Sequence, residues 1–148
     1  MGNTMGMALE IVSVGGTDDI KDSVLSSRAR QGWRVWTHGF VARLDNSECG
    51  LLMLDFYDRS LTAKVYEIFI LEQFRQRRVA SDLLKLAEAR AREFGATRLE
   101  LEAHPLDDRT DISWLRQWYS SKGFDGVSGG RVMAKVLQTG ADQSDNGA

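Results

Sequence analysis

Three arginines fall within six residues, Arg75-Gln76-Arg77-Arg78-Val79-Ala80, at the junction between two kinds of sequence pattern. Before them runs the apolar stretch Lys-Val-Tyr-Glu-Ile-Phe-Ile-Leu, from Lys64 to Leu71; after them Val79, Leu83, Leu84, Ala87, Ala91 and Phe94 recur at helical spacing. A loop at such a junction gathers the N–H groups of a helix's first turn, which have no intrahelical acceptor, where the helix dipole also favours negative charge. Guanidinium forks add donors matched to phosphate. The chemistry this spacing suits is capture of a diphosphate, against the plainer alternative of a solvated turn. Nucleic-acid binding is disfavoured, because no interleaved aromatic platform or wider basic face accompanies the arginines.

Proton acceptors lie close by in the chain. Glu67 is the one charge inside the apolar stretch, which reads as a strand buried on both faces. A carboxyl desolvated beside Val65, Phe69 and Leu71 becomes a better proton acceptor, unless an arginine pairs with it. Glu102 near the exit of the following strand and His104 two residues on are the other candidates, with an exposed strand residue and a strand terminator as the simpler readings.

The elements that must position these groups can be read in order. Leu9 to Val14 is a strand closed by Gly15-Gly16; Thr17 or Asp18 can cap a helix through about Arg30, with Ile20, Val24 and Leu25 on its apolar side. Gln31 to Thr37, with Trp33 and Trp36, fits either a short helix or a loop over a pocket. Gly39 to Leu44 and Cys49 to Phe56 are strands joined by the turn Asp45-Asn46-Ser47-Glu48. The central strand, the arginine loop and the helix to Gly95 follow, Gly95 standing where a left-handed cap belongs. Thr97 to Ala103 alternates strictly, His104-Pro105 ends it, and Asp111 can cap a helix through about Ser121. Two strands, Phe124 to Val127 and Arg131 to Leu137, complete the core, before a polar tail from Gln138.

Two stretches resemble the GNAT acyltransferase superfamily. Arg75 to Ala80 is similar to its Arg/Gln-x-x-Gly-x-Gly/Ala loop, matching at Arg75 and Ala80 but carrying Arg78 where the central glycine belongs. Tyr119-Ser120-Ser121-Lys122-Gly123-Phe124 is similar to its Tyr-x-x-x-Gly-Phe. The element order is also that of the family, over roughly residues 8 to 137. The resemblance implies an α/β (α+β) fold, a mixed, mostly antiparallel sheet of six to seven strands with helices on both faces. It implies an acetyl-CoA-dependent N-acetyltransferase, an enzyme moving the acetyl group to a primary amine of a small molecule or peptide by direct attack. The alternative is a catalytically silent CoA-binding sensor or interaction module. It further implies that Phe69, Ile70 and Leu71 bond the pantetheine arm through their backbone, and that Arg75, Gln76, Arg77, Arg78, Val79 and Ala80 hold the pyrophosphate. Tyr119 would be the acid for the departing thiolate, although an aromatic residue at that spacing also suits a core. Glu102 matches a glutamate that some members use. Trp33, Trp36 and the acidic residues Asp107, Asp108 and Asp111 are the candidates for the acceptor side, where carboxylates would favour a cationic amine. A homodimer is compatible with the resemblance.

Composition sets the outer limits. A chain of 148 residues that is 43% apolar suits a single domain with a real core, and 19 basic against 21 acidic residues leave a net charge of −2, no field for nucleic acid or an anionic membrane. The lone Cys49 excludes an intrachain disulfide, and no Cys/His spacing suggests a metal. No apolar run approaches the roughly 20 residues that span a bilayer, and Met1 to Met7 lacks the layout of an export signal. The expectation is a soluble cytoplasmic protein.

Overall fold

The computed structural model describes residues 9–75, 78–103, 111–127 and 131–137. In chain order the elements are β1 (Leu9–Val14), α1 (Ser23–Gly32), β2 (Thr37–Leu44), β3 (Ser47–Tyr57), β4 (Thr62–Ile70), α2 (Val79–Phe94), β5 (Arg98–Glu102), α3 (Ile112–Ser121), β6 (Asp125–Gly126) and β7 (Val132–Val136). The strands form one seven-stranded, mostly antiparallel sheet in the order β1-β2-β3-β4-β5-β7-β6. By its contacts the chain divides into two compact units, Met1–Leu54 with Glu67–Ala87, and Asp55–Tyr66 with Glu88–Ala148.

In the first unit, β1 and β2 pair antiparallel from Leu9↔Leu44 to Val14↔Gly39. β2 turns into β3 through Asp45 and Asn46, both at positive φ (54° and 71°), the two-residue turn whose twist matches the strands it joins. The first helix starts later than its sequence pattern suggests. Thr17–Asp19 is a single 3₁₀ turn, Ile20 is extended, and the cap of α1 is Asp22, whose carboxylate accepts from Val24 N (2.9 Å) and Leu25 N (3.0 Å). The carboxylate of Glu48 next to the hairpin turn accepts from Lys21 N and Asp22 N (2.7 Å for the latter), so the cap is itself anchored. Val24 is consequently 48% exposed, and the buried stripe is Leu25 and Ala29 instead.

Burial on both faces belongs to β3, not β4. Every residue from Cys49 to Asp55 in β3 is buried, whereas β4 alternates and leaves Tyr66 exposed. The physical reason is composition: β3 carries the unbroken apolar run Leu51–Leu54, whereas β4 sets Lys64, Tyr66 and Glu67 among its apolar residues.

In the second unit, β4 pairs parallel with β5 from Thr62↔Arg98 to Val65↔Leu101, and β7 pairs antiparallel with β5 and β6. Alternation in β5 is as expected, Leu99 and Leu101 buried against the less buried Glu100 and Glu102. Helix α2 closes with Gly95 at φ 91°, Ala96 N donating to Ala91 O (2.9 Å) and Gly95 N to Arg92 O (3.0 Å), the paired bonds that satisfy its last carbonyls. Asp111 caps α3 by accepting from Ser113 N at 3.1 Å, as its position predicts. Phe56 and Phe94 pack at 5.5 Å, and Leu99, Leu101, Phe124 and Met133 are almost fully enclosed.

Candidate active site

The register of β4 with β5 ends at Val65↔Leu101, while β4 itself continues to Ile70. Beyond that point Leu71 N donates to Cys49 O (2.8 Å) and Leu71 O accepts from Phe74 N (2.9 Å). Both backbone groups of Leu71 are therefore committed within the protein, and by strand alternation those of Phe69 face β3 as well. Of the three residues expected to bond a pantetheine arm, Ile70 alone presents its backbone on the other edge. Its carbonyl already accepts from Arg75 Nε at 2.9 Å. Arg75, expected to reach phosphate, thus secures the end of β4, with its guanidinium 5.3 Å from the centroid of the Phe69 ring.

Arg78 keeps the backbone that a glycine would adopt. Its φ is 65° and its side chain is exposed, so Arg78 takes the left-handed region that favours glycine and carries its cation on the outside. The left-handed conformation costs an L-residue about 1–2 kcal/mol relative to glycine. Val79 immediately after it is buried to 1% exposure, which seats the start of α2, and the helix's first internal bond runs from Asp82 N to Arg78 O at 3.2 Å. The N–H groups of Val79 and Ala80 lie ahead of that bond, available to an anion. Gln76 and Arg77 fall outside the described residues.

Glu67 is not a lone carboxyl among apolar neighbours. Its Oε2 receives Nε of Arg28 from α1, and the Arg28 guanidinium lies over the Phe69 ring at 4.0 Å from the centroid. The condition for a desolvated base is unmet at one oxygen; Oε1 accepts no hydrogen bond among the described residues. Arg28 escaped the sequence reading, yet a signal was present: Leu25, Arg28, Ala29 and Gly32 share the i, i+3, i+4, i+7 spacing of a buried stripe, with a charge set into it. Glu102, the second candidate, is exposed at the end of β5, and His104 falls outside the described residues.

Tyr119 is 5% exposed on α3, edge-on to Trp118 at 5.1 Å and to Phe124 at 6.0 Å. Its hydroxyl makes no hydrogen bond among the described residues, and burial pushes the phenol up to about 12. Gly123 explains the rest of that motif. Its φ is 99°, and a Cβ there would stand 3.0 Å from Lys135 Cε, whose ammonium bonds Lys122 O (3.0 Å) and Glu88 (2.9 Å). Lys135 therefore ties the end of the tyrosine helix to α2, a role its place in a strand did not announce.

Trp33 and Trp36 belong to a loop, not to a second helix. With Gly15, Arg34, Val35 and Thr37 they line an open depression of about 650 Å³, where the Trp33 ring covers Gly39. Asp107 and Asp108 lie outside the described residues, and Asp111 is occupied as the cap of α3. Among the described residues no cluster of His, Cys, Asp and Glu could hold a metal, and no helix is long and apolar enough to cross a membrane.

The fold is similar to that of an IAA acetyltransferase from Bacillus cereus (TM-score 0.67, 20% identity, covering 88% of this chain and 100% of that one). It is similar also to a GNAT-family acetyltransferase from Staphylococcus aureus (TM-score 0.65, 13% identity, 88% and 100%) and to PaiA N-acetyltransferase from Thermoplasma acidophilum, solved with coenzyme A (TM-score 0.63, 14% identity, 88% and 100%). No curated protein matches at the level of sequence. The model of the acetyltransferase (GNAT) family matches residues 17–118, and the chain belongs to that family.

Proposed function

We propose that this protein is an acetyl-CoA-dependent N-acetyltransferase acting on a primary amine. The observation that carries the reading is the conformation of Arg78: a non-glycine residue kept at φ 65°, in the position of the family's loop glycine, ahead of first-turn N–H groups. Strain of this kind is retained where the backbone path itself is used. The coenzyme A bound to the Thermoplasma acidophilum relative supports the choice of acyl donor.

Acetyl-CoA supplies an activated acyl carbon; a C–N bond to the amine forms as the C–S bond breaks, and of the two protons the ammonium loses, one ends on sulfur and one in solvent. The loop holds the diphosphate through the N–H groups of Val79 and Ala80, with Arg78 contributing charge from outside, while Ile70 offers its N–H to the pantetheine arm. Glu67 takes the first proton through Oε1, the oxygen that Arg28 leaves open. Tyr119 acts on the leaving sulfur. Complete proton transfer from a phenol near 12 to a thiolate whose conjugate acid lies near 8.5 is uphill by about 5 kcal/mol, so donation of a hydrogen bond is its larger contribution. The depression at Trp33 and Trp36 is the proposed entry for the acceptor.

Thiol release from acetyl-CoA, followed across a broad amine panel, tests the proposal. Amine-dependent release stoichiometric with acetylated product is expected. Binding of acetyl-CoA without release on any amine would instead mark a silent CoA-binding sensor.

A further inference from the structure

We infer that Arg28 and Glu67 form a two-signed docking point for the acceptor, and that the acceptor is an amine carrying a carboxylate beside its amino group, as a free α-amino acid does. This deepens the proposed acetyl transfer and rests on it for the reaction, but not for the binding.

The geometry is local to α1 and β4. A guanidinium has a side edge, formed by Nε and one terminal nitrogen, and an end edge formed by both terminal nitrogens. Arg28 uses Nε to hold Glu67 Oε2 and lies on the Phe69 ring, which orients the planar group; it makes no further hydrogen bond or ion pair among the described residues. Its end edge is thus presented, oriented, to a carboxylate fork. Glu67 likewise leaves Oε1 open. Side-chain exposures of 39% for Arg28 and 17% for Glu67 allow a small ligand to reach both while Phe69 beneath them is buried.

Joined at one corner, the pair presents a positive and a negative edge side by side, the charge pattern complementary to a neighbouring ammonium and carboxylate. A simple diamine would set its second cation against Arg28. A dicarboxylate without an amine would meet Glu67. Only the mixed charge satisfies both edges, and it leaves the amine on the carboxylate proposed to deprotonate it.

The test uses the twenty L-amino acids, each beside its α-amide, with two readouts: equilibrium binding in the presence of CoA, and kcat/KM for thiol release with acetyl-CoA. For the amino acids that bind, the acid should exceed its amide at least about tenfold in both. Arg28→Lys, which keeps the charge but loses the fork and the stacking, should shrink that ratio. Arg28→Gln/Glu67→Gln, which removes both charges without stranding either, should abolish it, with the fold checked by thermal melting. Equal binding of acids and amides, a ratio that survives in the double variant, or no binding by any member of the panel would overturn the inference. Rapid acetylation of amides would do so while leaving the transferase reading intact; discrimination in binding with no thiol release would do the reverse.

Discussion

Phe69 carries two guanidiniums, those of Arg28 and Arg75, and one of them is paired to Glu67 two residues back in the same strand. Tyr119, by contrast, is enclosed by the rings of Trp118 and Phe124, and its hydroxyl has no partner among the described residues. Around Phe69, position is set by charge, so the corner suits recognition of charged groups and should respond to salt. Around Tyr119, position is set by packing, and burial alone governs the proton.

The sharpest way to break this contrast is Tyr119→Phe. Packing is retained and no internal hydrogen bond is lost, so melting temperature should stay the same or rise slightly, while turnover falls about 100-fold and acetyl-CoA affinity changes less than about threefold. A turnover equal to that of the parent would remove Tyr119 from the mechanism. A parallel loss of stability would show that its hydroxyl is structural.

Alkaline stability sharpens the same point. The folded-state phenol lies near 12 against 10.0 unfolded, so the folded protein holds this proton more tightly. The resulting stabilisation, at most about 3 kcal/mol, is complete below about pH 10 and disappears as pH climbs through 12. Denaturant titrations across that interval should show a steeper loss in the parent than in Tyr119→Phe. The Cys49 thiol, raised to about 11 by burial, gives the same sign of slope in both proteins and cancels in the comparison.

A smaller effect is expected at the loop. Arg78→Gly should relieve the left-handed conformation and gain about 1 kcal/mol, read as a higher denaturant midpoint, partly offset by the freer unfolded chain. The same variant should weaken acetyl-CoA binding a few-fold, and the difference should fade at high salt. Tighter binding would mean that Arg78 obstructs the loop.

Much of this molecule is legible from residue order because its elements are punctuated locally. Asp111, Gly95 and the alternation of Leu99 and Leu101 each act within a few positions, and each appears where the pattern puts it. Asp22 was missed as a cap because an earlier Thr-Asp pair offers the same chemistry and only the 3₁₀ turn and the anchoring Glu48 decide between them. Burial on both faces of β3 is itself legible in its unbroken run Leu51–Leu54, while in β4 the charge of Glu67 and the polar Lys64 and Tyr66 mark a strand that is only partly enclosed. At the candidate site the motif positions Arg75, Arg78 and Tyr119 stood out, but their partners did not. That Arg75 turns back onto Ile70, that Glu67 meets Arg28 39 residues away, and that Lys135 anchors the tyrosine helix are all long-range facts.

Acetyl transfer by this protein requires the loop before α2 to receive a diphosphate. Calorimetric titration with acetyl-CoA and with S-acetylpantetheine, which has the same arm but neither the diphosphate nor the nucleotide beyond it, addresses that, with 3′,5′-ADP as a competitor to report the nucleotide's own share. Binding of acetyl-CoA at least about 100-fold tighter than S-acetylpantetheine is predicted, from charge-assisted bonds to the loop. Equal affinity for the two, or no binding of acetyl-CoA, would contradict it.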